Sequence, residues 1–221
     1  MWTKEKALGL IREIGIVAII RTSSPEDAIR AAEAIIEGGI SVAEITMTVP
    51  RALYVMEQLA DHYGDKVLLG AGTILDAESC RSAMLAGAEF IVTPALDVRV
   101  IEISRRYSKP CLPGALSPTE VISAWQAGAD MVKVFPCGLV GGAKYIKALK
   151  GPFPQVDMVP TGSVSPETTV ELIRAGASAV AAGSELVDTQ ALRQGKLDVI
   201  TDKARRFVEA VRTSRGSAMA S

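Results

Sequence analysis

Residues 16–47 read IVAIIRTSSPEDAIRAAEAIIEGGISVAEITM. An aliphatic run at 16–20 is followed by Ser-Ser-Pro, an amphipathic stretch ending in two glycines, and a second β-branched run at 42–47. Serine ahead of proline suits a helix N-terminus and glycine its end, so the stretch predicts strand, helix, strand. A connection of this length carries the crossover that joins parallel strands. The turn after the first run, RTSSPEDA, holds no GxGxxG. A dinucleotide-binding unit would place its glycines there, to let a pyrophosphate approach the backbone.

The same rhythm runs the length of the chain. Further aliphatic runs lie at 67–69, 90–92, 110–112, 131–135, 156–159 and 179–182. Between them stand amphipathic segments such as DAESCRSAMLAGA (76–88), SPTEVISAWQAGA (117–129) and SPETTVELIRAGA (165–177). Each opens on a capping residue and closes near glycine. Together with 16–20 and 42–47 these make eight strand–helix units, the count of a compact (β/α)8 TIM barrel. An amphipathic N-terminal stretch, MWTKEKALGLIREIG, adds one helix before the first strand. A doubly wound sheet is the rival α/β architecture; the missing fingerprint and the late glycines favour the barrel. Residues 1–213 read as one barrel domain, and 214–221, small and polar, as a disordered tail.

Composition narrows the chemistry. The 221 residues include 24 Lys and Arg against 25 Asp and Glu, so the basic footprint of a nucleic-acid binder is missing. Hydrophobic residues make up 48% but aromatics only 5%, which means an aliphatic core. Cys80, Cys111 and Cys137 form no CxxC pair, as expected of a reducing compartment. No apolar run approaches the ~20 residues of a membrane span, and the N-terminus lacks a signal peptide's apolar centre. The chain therefore reads as cytoplasmic.

Two residues do not belong where the pattern puts them. In a strand, alternate side chains share a face. Across 42–47 that sets Val42, Glu44 and Thr46 on one side and the wholly apolar Ala43, Ile45 and Met47 on the other, toward the helices. Glu44 then points into the barrel. The same count at 131–135 turns Met131, Lys133 and Phe135 inward and Val132 and Val134 outward. Lys133 is the one lysine placed mid-strand between hydrophobic neighbours. An internal salt bridge that merely fills space is the plain reading, but two buried charges cost about as much as their attraction returns. The chemical reading is that a desolvated amine becomes a nucleophile near neutral pH and forms a Schiff base with a ketone. The protonated imine is an electron sink, and Glu44 would shuttle the protons.

Other residues cluster at strand ends. PTG at 160–162 with Ser163, and AAGS at 181–184, close the seventh and eighth runs. Loops after those strands often hold a phosphate on backbone N–H groups, so Gly162, Ser163, Gly183 and Ser184 are candidates for it; ordinary turns use the same residues. Arg21 ends the first run, where a cation would meet a carboxylate or phosphate or simply face solvent. GAGT at 70–73 allows close backbone approach with the Thr73 hydroxyl at the mouth, or is only a tight turn. Thr48 and Pro50 follow Glu44 at the same mouth, while Thr93-Pro94 and Pro113-Gly114 end their runs. His62, the single histidine, sits near a helix end as a surface residue. Without a Cys/His cluster, a zinc site, a metal-dependent aldolase and a His-based triad are all disfavoured, and no cofactor is expected.

EITMTVP (44–50), GAGT (70–73), FIVTPALD (90–97), PG (113–114), VKVFP (132–136), GPFPQV (151–156) and PTG (160–162) together resemble the 2-keto-3-deoxy-6-phosphogluconate (KDPG) and 4-hydroxy-2-oxoglutarate aldolases. The likeness spans residues 10–212 in order. It implies a class I aldolase that cleaves KDPG to pyruvate and glyceraldehyde 3-phosphate in the Entner–Doudoroff route, working as a homotrimer. It also implies Lys133 as the Schiff-base lysine, Glu44 as the acid/base, Thr73 and Pro94 as pyruvate contacts, and Phe135, the aromatic after the lysine, as a further substrate-binding residue. The phosphate loops fall on Gly162, Ser163, Gly183 and Ser184. Two positions depart from the pattern. Thr48, expected among the substrate contacts, stands where many members carry the arginine that holds the keto-acid carboxylate, and Arg21 is the candidate replacement. Ser163 replaces the second glycine of PTGG, which strains the loop if φ is positive there. The galactonate epimer (KDPGal) and the unphosphorylated hydroxyoxoglutarate stay open as substrates. So do a thiamine-phosphate-synthase-like transferase and a non-catalytic phospho-ligand sensor on the same barrel.

Overall fold

The computed structural model describes residues 2–216. Helices and strands alternate along it. They are α1 (Lys4–Ile14), β1 (Ile16–Ile20), α2 (Pro25–Glu37), β2 (Val42–Thr46), α3 (Ala52–Tyr63), β3 (Leu68–Gly72), α4 (Ala77–Leu85) and β4 (Phe90–Val92). There follow α5 (Val98–Arg106), β5 (Cys111–Leu112), β6 (Gly114–Ala115), α6 (Pro118–Gln126), β7 (Val132–Val134), α7 (Ala143–Lys150), β8 (Met158–Pro160), α8 (Pro166–Arg174), β9 (Val180–Ala182), α9 (Thr189–Arg193) and α10 (Leu197–Gly216). The start signals are used as expected. Ser24 caps α2 ahead of Pro25, Asp76 caps α4, and Ser117 and Glu120 form a reciprocal capping box on α6.

All strand pairs are parallel. One sheet runs β5-β4-β3-β2-β1-β9 and a second runs β6-β7-β8. The run expected at 110–112 continues past Pro113 and splits there into β5 and β6. Proline has no N–H to donate, so the ladder cannot pass through it unbroken. Across the other gap, Thr161 bridges to Ala181 in parallel, and the Ser178 N–H donates to the Met158 carbonyl at 3.0 Å. The third strand also differs from expectation, extending through Gly70 and Gly72. Glycine is a poor strand former, but a Cβ on Gly70 would stand 2.4 Å from the Phe90 ring. The ring needs that space.

The two curled sheets bury both of their faces. Ala43, Ile45, Val132 and Val134 pack with the helices, while Val42, Leu68, Phe90, Met131 and Val159 form an inner cluster closed by Ala7 and Ile11 of α1. The period-two assignment of β2 and β7 is therefore met on both faces. The N-terminal helix is a plug over one end of the inner layer, held by its buried Ala7 and Ile11.

The end of the chain needs a correction. Residues 214–216 belong to α10, not to a tail: Ser214 is buried with its hydroxyl donating to the Val211 carbonyl, and Arg215 donates to the carbonyls of Arg12 and Glu13. Positions 217–221 lie outside the described residues. Among the described residues no helix is long and apolar enough to cross a membrane.

Candidate active site

Period-two alternation carries Glu44 and Lys133 into the inner layer from β2 and β7. Glu44 is 1% exposed and Lys133 6%. Neither carboxylate oxygen of Glu44 has a hydrogen-bond partner. Burial pushes its carboxyl above the ordinary glutamate range, against the opposing pull of Lys133 and, more weakly, Arg21. A buried carboxylate without hydrogen bonds is expensive. The protonated form is favoured by the burial, and a carboxyl raised in this way is the kind of group that general acid/base chemistry uses.

Room for that carboxylate comes from the neighbouring strand. Thr46 pairs with Gly72 across the ladder, and a Cβ on Gly72 would stand 2.5 Å from Glu44 Oε1. Gly72→Ala is expected to displace Glu44 and to cost about 1–3 kcal/mol of stability, measured by urea denaturation. An unchanged midpoint would mean that the carboxylate is not confined.

Lys133 lies under the Phe135 ring, its Nζ 5.4 Å from the ring centroid, and opens onto a cleft of about 630 Å³. Arg21, Thr73, Pro94 and Phe135 line this cleft with Lys133, and so do Gly162, Ser163, Gly183 and Ser184. The peptide between Phe135 and Pro136 is cis. Arg21 reaches over from the end of β1 and donates from Nη2 to Thr73 Oγ1 at 3.2 Å. Thr73 sits at φ 56° and Ser163 at φ 57°, both in the left-handed region. The strain foreseen at Ser163 is thus present. Its side chain is accommodated because Gly138 has none: a Cβ there would stand 2.7 Å from Ser163 Cβ.

Two expected residues are placed differently from the rest. Glu44 does not line the cleft but lies in the buried layer near Lys133. Thr48 is a correction. It is exposed in the turn after β2, with its hydroxyl 2.9 Å from that of Thr46, and does not reach the cleft. Beyond the last strand residue the turn geometry, and not the alternation, decides where a side chain goes.

The cleft also holds residues that sequence reasoning missed. Thr161, buried, donates to the Val159 carbonyl at 3.2 Å. Glu185 and Asp188 follow β9, and Asp188 both caps α9 and pairs with Lys203 at 2.9 Å. Asp ahead of a helical segment was the available signal at 188; the short α9 hid it. Among the described residues, no acceptor takes the N–H of Ser163, Ser184 or Glu185. Nor do three or more His, Cys, Asp or Glu side chains converge there as metal ligands.

A family model described as KDPG and KHG aldolase matches residues 9–203. The chain belongs to this family. It is 33% identical over 211 residues to the 2-dehydro-3-deoxy-phosphogluconate aldolase of Treponema pallidum, covering 96% of this chain and 99% of that one. It is also 33% identical over 202 residues to the 2-dehydro-3-deoxy-6-phosphogalactonate aldolase of Escherichia coli K12, covering 90% and 96%. Among solved structures, the KDPG aldolase of Legionella pneumophila, with pyruvate captured as a covalent carbinolamine, superposes with a TM-score of 0.83 at 28% identity, covering 90% of this chain and 96% of that one. As a member of the KDPG and KHG aldolases, the chain is a carbon–carbon lyase with the α/β fold of that family.

Proposed function

We propose that this aldolase works through a Schiff base on Lys133 and cleaves 2-keto-3-deoxy-6-phosphogluconate to pyruvate and glyceraldehyde 3-phosphate. The observation that carries the reading is the buried lysine opening onto a cleft, backed by a glutamate with no hydrogen-bond partner. Lys133 Nζ attacks the C2 ketone to give a carbinolamine. Protonated Glu44 gives its proton to the carbinolamine hydroxyl, which leaves as water and yields the protonated imine. The Glu44 carboxylate then takes the proton of the C4 hydroxyl. The C3–C4 bond breaks toward the imine, releasing the aldehyde and leaving an enamine. Glu44 returns the proton to C3, and water hydrolyses the protonated imine to pyruvate and the free Lys133 amine, the proton released going back to the Glu44 carboxylate.

Arg21 supplies the cation for the keto-acid carboxylate, with Thr73 steadying its guanidinium. The unpaired N–H groups of Ser163, Ser184 and Glu185 supply donors for the distal phosphate. Glycine at position 163 would adopt the positive φ without a Cβ clash, worth about 1 kcal/mol. Ser163→Gly is therefore expected to raise the thermal midpoint and tighten competitive inhibition by inorganic phosphate. Weaker inhibition would show that the serine itself contributes to the site.

The phosphogalactonate relative, as similar as the phosphogluconate one, supports the C4 epimer as a second substrate. Parallel assays with both epimers and 4-hydroxy-2-oxoglutarate rank the three by kcat/KM. The reading extends to architecture and setting. The Thr161–Ala181 bridge and the continuity of β5 with β6 through Pro113 support closure of the strands into a (β/α)8 barrel. The homotrimer is read from the family resemblance, and the exposed Leu139 and Val140 are apolar side chains that a further copy would cover. The three unpaired cysteines suit the cytoplasm.

The deciding experiment is reduction of the protein with sodium borohydride in the presence of pyruvate, followed by peptide mass spectrometry. A pyruvate adduct on Lys133 is expected. A folded sample with no adduct would overturn the reading.

A further inference from the structure

We propose that Thr93 is a positioning residue, whose hydroxyl ties the Ala95 carbonyl to the strand beside Lys133 and so holds the Pro94–Ala95 wall against which the keto carbon meets the amine. The inference rests on the Schiff-base reading of Lys133.

Thr93 follows β4 directly and is 1% exposed. Its N–H donates to the Leu112 carbonyl at 3.3 Å, the last bond of the β4–β5 ladder. Beyond it Pro113 breaks the neighbouring strand, and the side chain of Thr93 takes over from the backbone. Thr93 Oγ1 accepts the N–H of Gly114 at 3.1 Å and donates its own proton to the Ala95 carbonyl. One hydroxyl thus spans both sides of the break.

What it joins is the wall of the cleft and the strand next to the lysine. Gly114 pairs in register with Lys133, and the Lys133 N–H donates to the Pro113 carbonyl at 2.9 Å. A Cβ on Gly114 would stand 2.3 Å from both the carbonyl carbon and the carbonyl oxygen of Pro94. The Pro94–Ala95 peptide therefore rests directly on the Gly114 α-carbon. Pro94 and Lys133 line the same cleft. Valine in place of Thr93 has the same shape but makes neither bond. It would leave the Gly114 N–H buried and unpaired and free the Ala95 carbonyl to lift the wall away. Bond formation between a fixed amine and a fixed ketone is steeply sensitive to such shifts, and a displacement of about 1 Å can cost on the order of a hundredfold.

The test compares Thr93→Val with Thr93→Ser, which keeps the hydroxyl. Retro-aldol turnover, the rate of borohydride-trapped pyruvate on Lys133 and the thermal midpoint are measured for each. Thr93→Val is expected to lower kcat by about tenfold or more and to slow trapping in proportion, with Thr93→Ser near wild type in both. A merely structural role would lower the midpoint and leave the trapping rate of the folded protein unchanged, which overturns the proposal. So does a serine variant as impaired as the valine one. Should Thr93→Val fail to fold, Thr93→Ala takes its place; failure of both shows a support of the whole fold and also overturns it. A wild-type protein without any adduct overturns the Schiff-base reading and this inference with it, whereas an adduct in wild type with an unaffected valine variant overturns this inference alone.

Discussion

Lys133→Ala is expected to lower retro-aldol turnover by at least about four orders of magnitude, the scale on which enzymes lose rate with their covalent nucleophile. Added pyruvate and borohydride should then leave no adduct at position 133. Turnover within tenfold of wild type would remove Lys133 from the chemistry. The variant has a second signature, in stability. Lys133 is the larger of the two cations that oppose the rise of the Glu44 carboxyl. An uncompensated buried charge costs about 3–5 kcal/mol, so without the lysine Glu44 stays protonated to higher pH instead. A carboxyl whose folded pKa lies above its unfolded value contributes stability that is whole below the unfolded value of 4.5 and lost as pH rises through the folded one. In Lys133→Ala that loss continues to higher pH than in wild type. Denaturant midpoints measured from pH 5 to pH 9 would show it as a steeper decline at the alkaline end. A decline parallel to wild type would mean that the two groups do not interact.

Glu44→Gln is expected to slow turnover by about a hundred- to ten-thousandfold, the usual contribution of a positioned general acid/base. Lys133 remains, so pyruvate should still be trapped there, only more slowly. This split separates the proton shuttle from the nucleophile. The amide cannot ionise, so the variant escapes the loss of stability that wild type suffers above pH 4.5 as the Glu44 carboxyl is forced to charge. The stability difference between Glu44→Gln and wild type should therefore shift toward the variant as pH rises. Unchanged turnover would exclude Glu44 from the mechanism. A pH-independent difference in stability would show that its burial is not felt by the folded state.

The buried lysine and the buried glutamate were legible from local periodicity. Alternation within β2 and β7 is a property of the backbone itself, so Glu44 and Lys133 could be assigned to the inner face without knowing which strands pair. Capping residues marked the helices for the same local reason. Strand-end residues were less legible. Arg21, Thr73 and Pro94 reach one cleft, while Thr48, which follows Glu44 just as closely, does not. The difference lies in turn geometry, which alternation does not encode.

The sequence by itself determined the repeating strand–helix order, the aliphatic core and the inward pair of charges, because each follows from contacts a few residues apart along the chain. Only the tertiary structure decided that Glu44 has no hydrogen-bond partner, that Gly72 leaves the space it occupies, that Arg21 bonds Thr73, and that Thr93 spans the break at Pro113. These depend on which atoms meet across strands far apart in sequence. In a close-packed interior, a distance of a few tenths of an ångström settles whether such a contact is a bond, a vacancy or a clash.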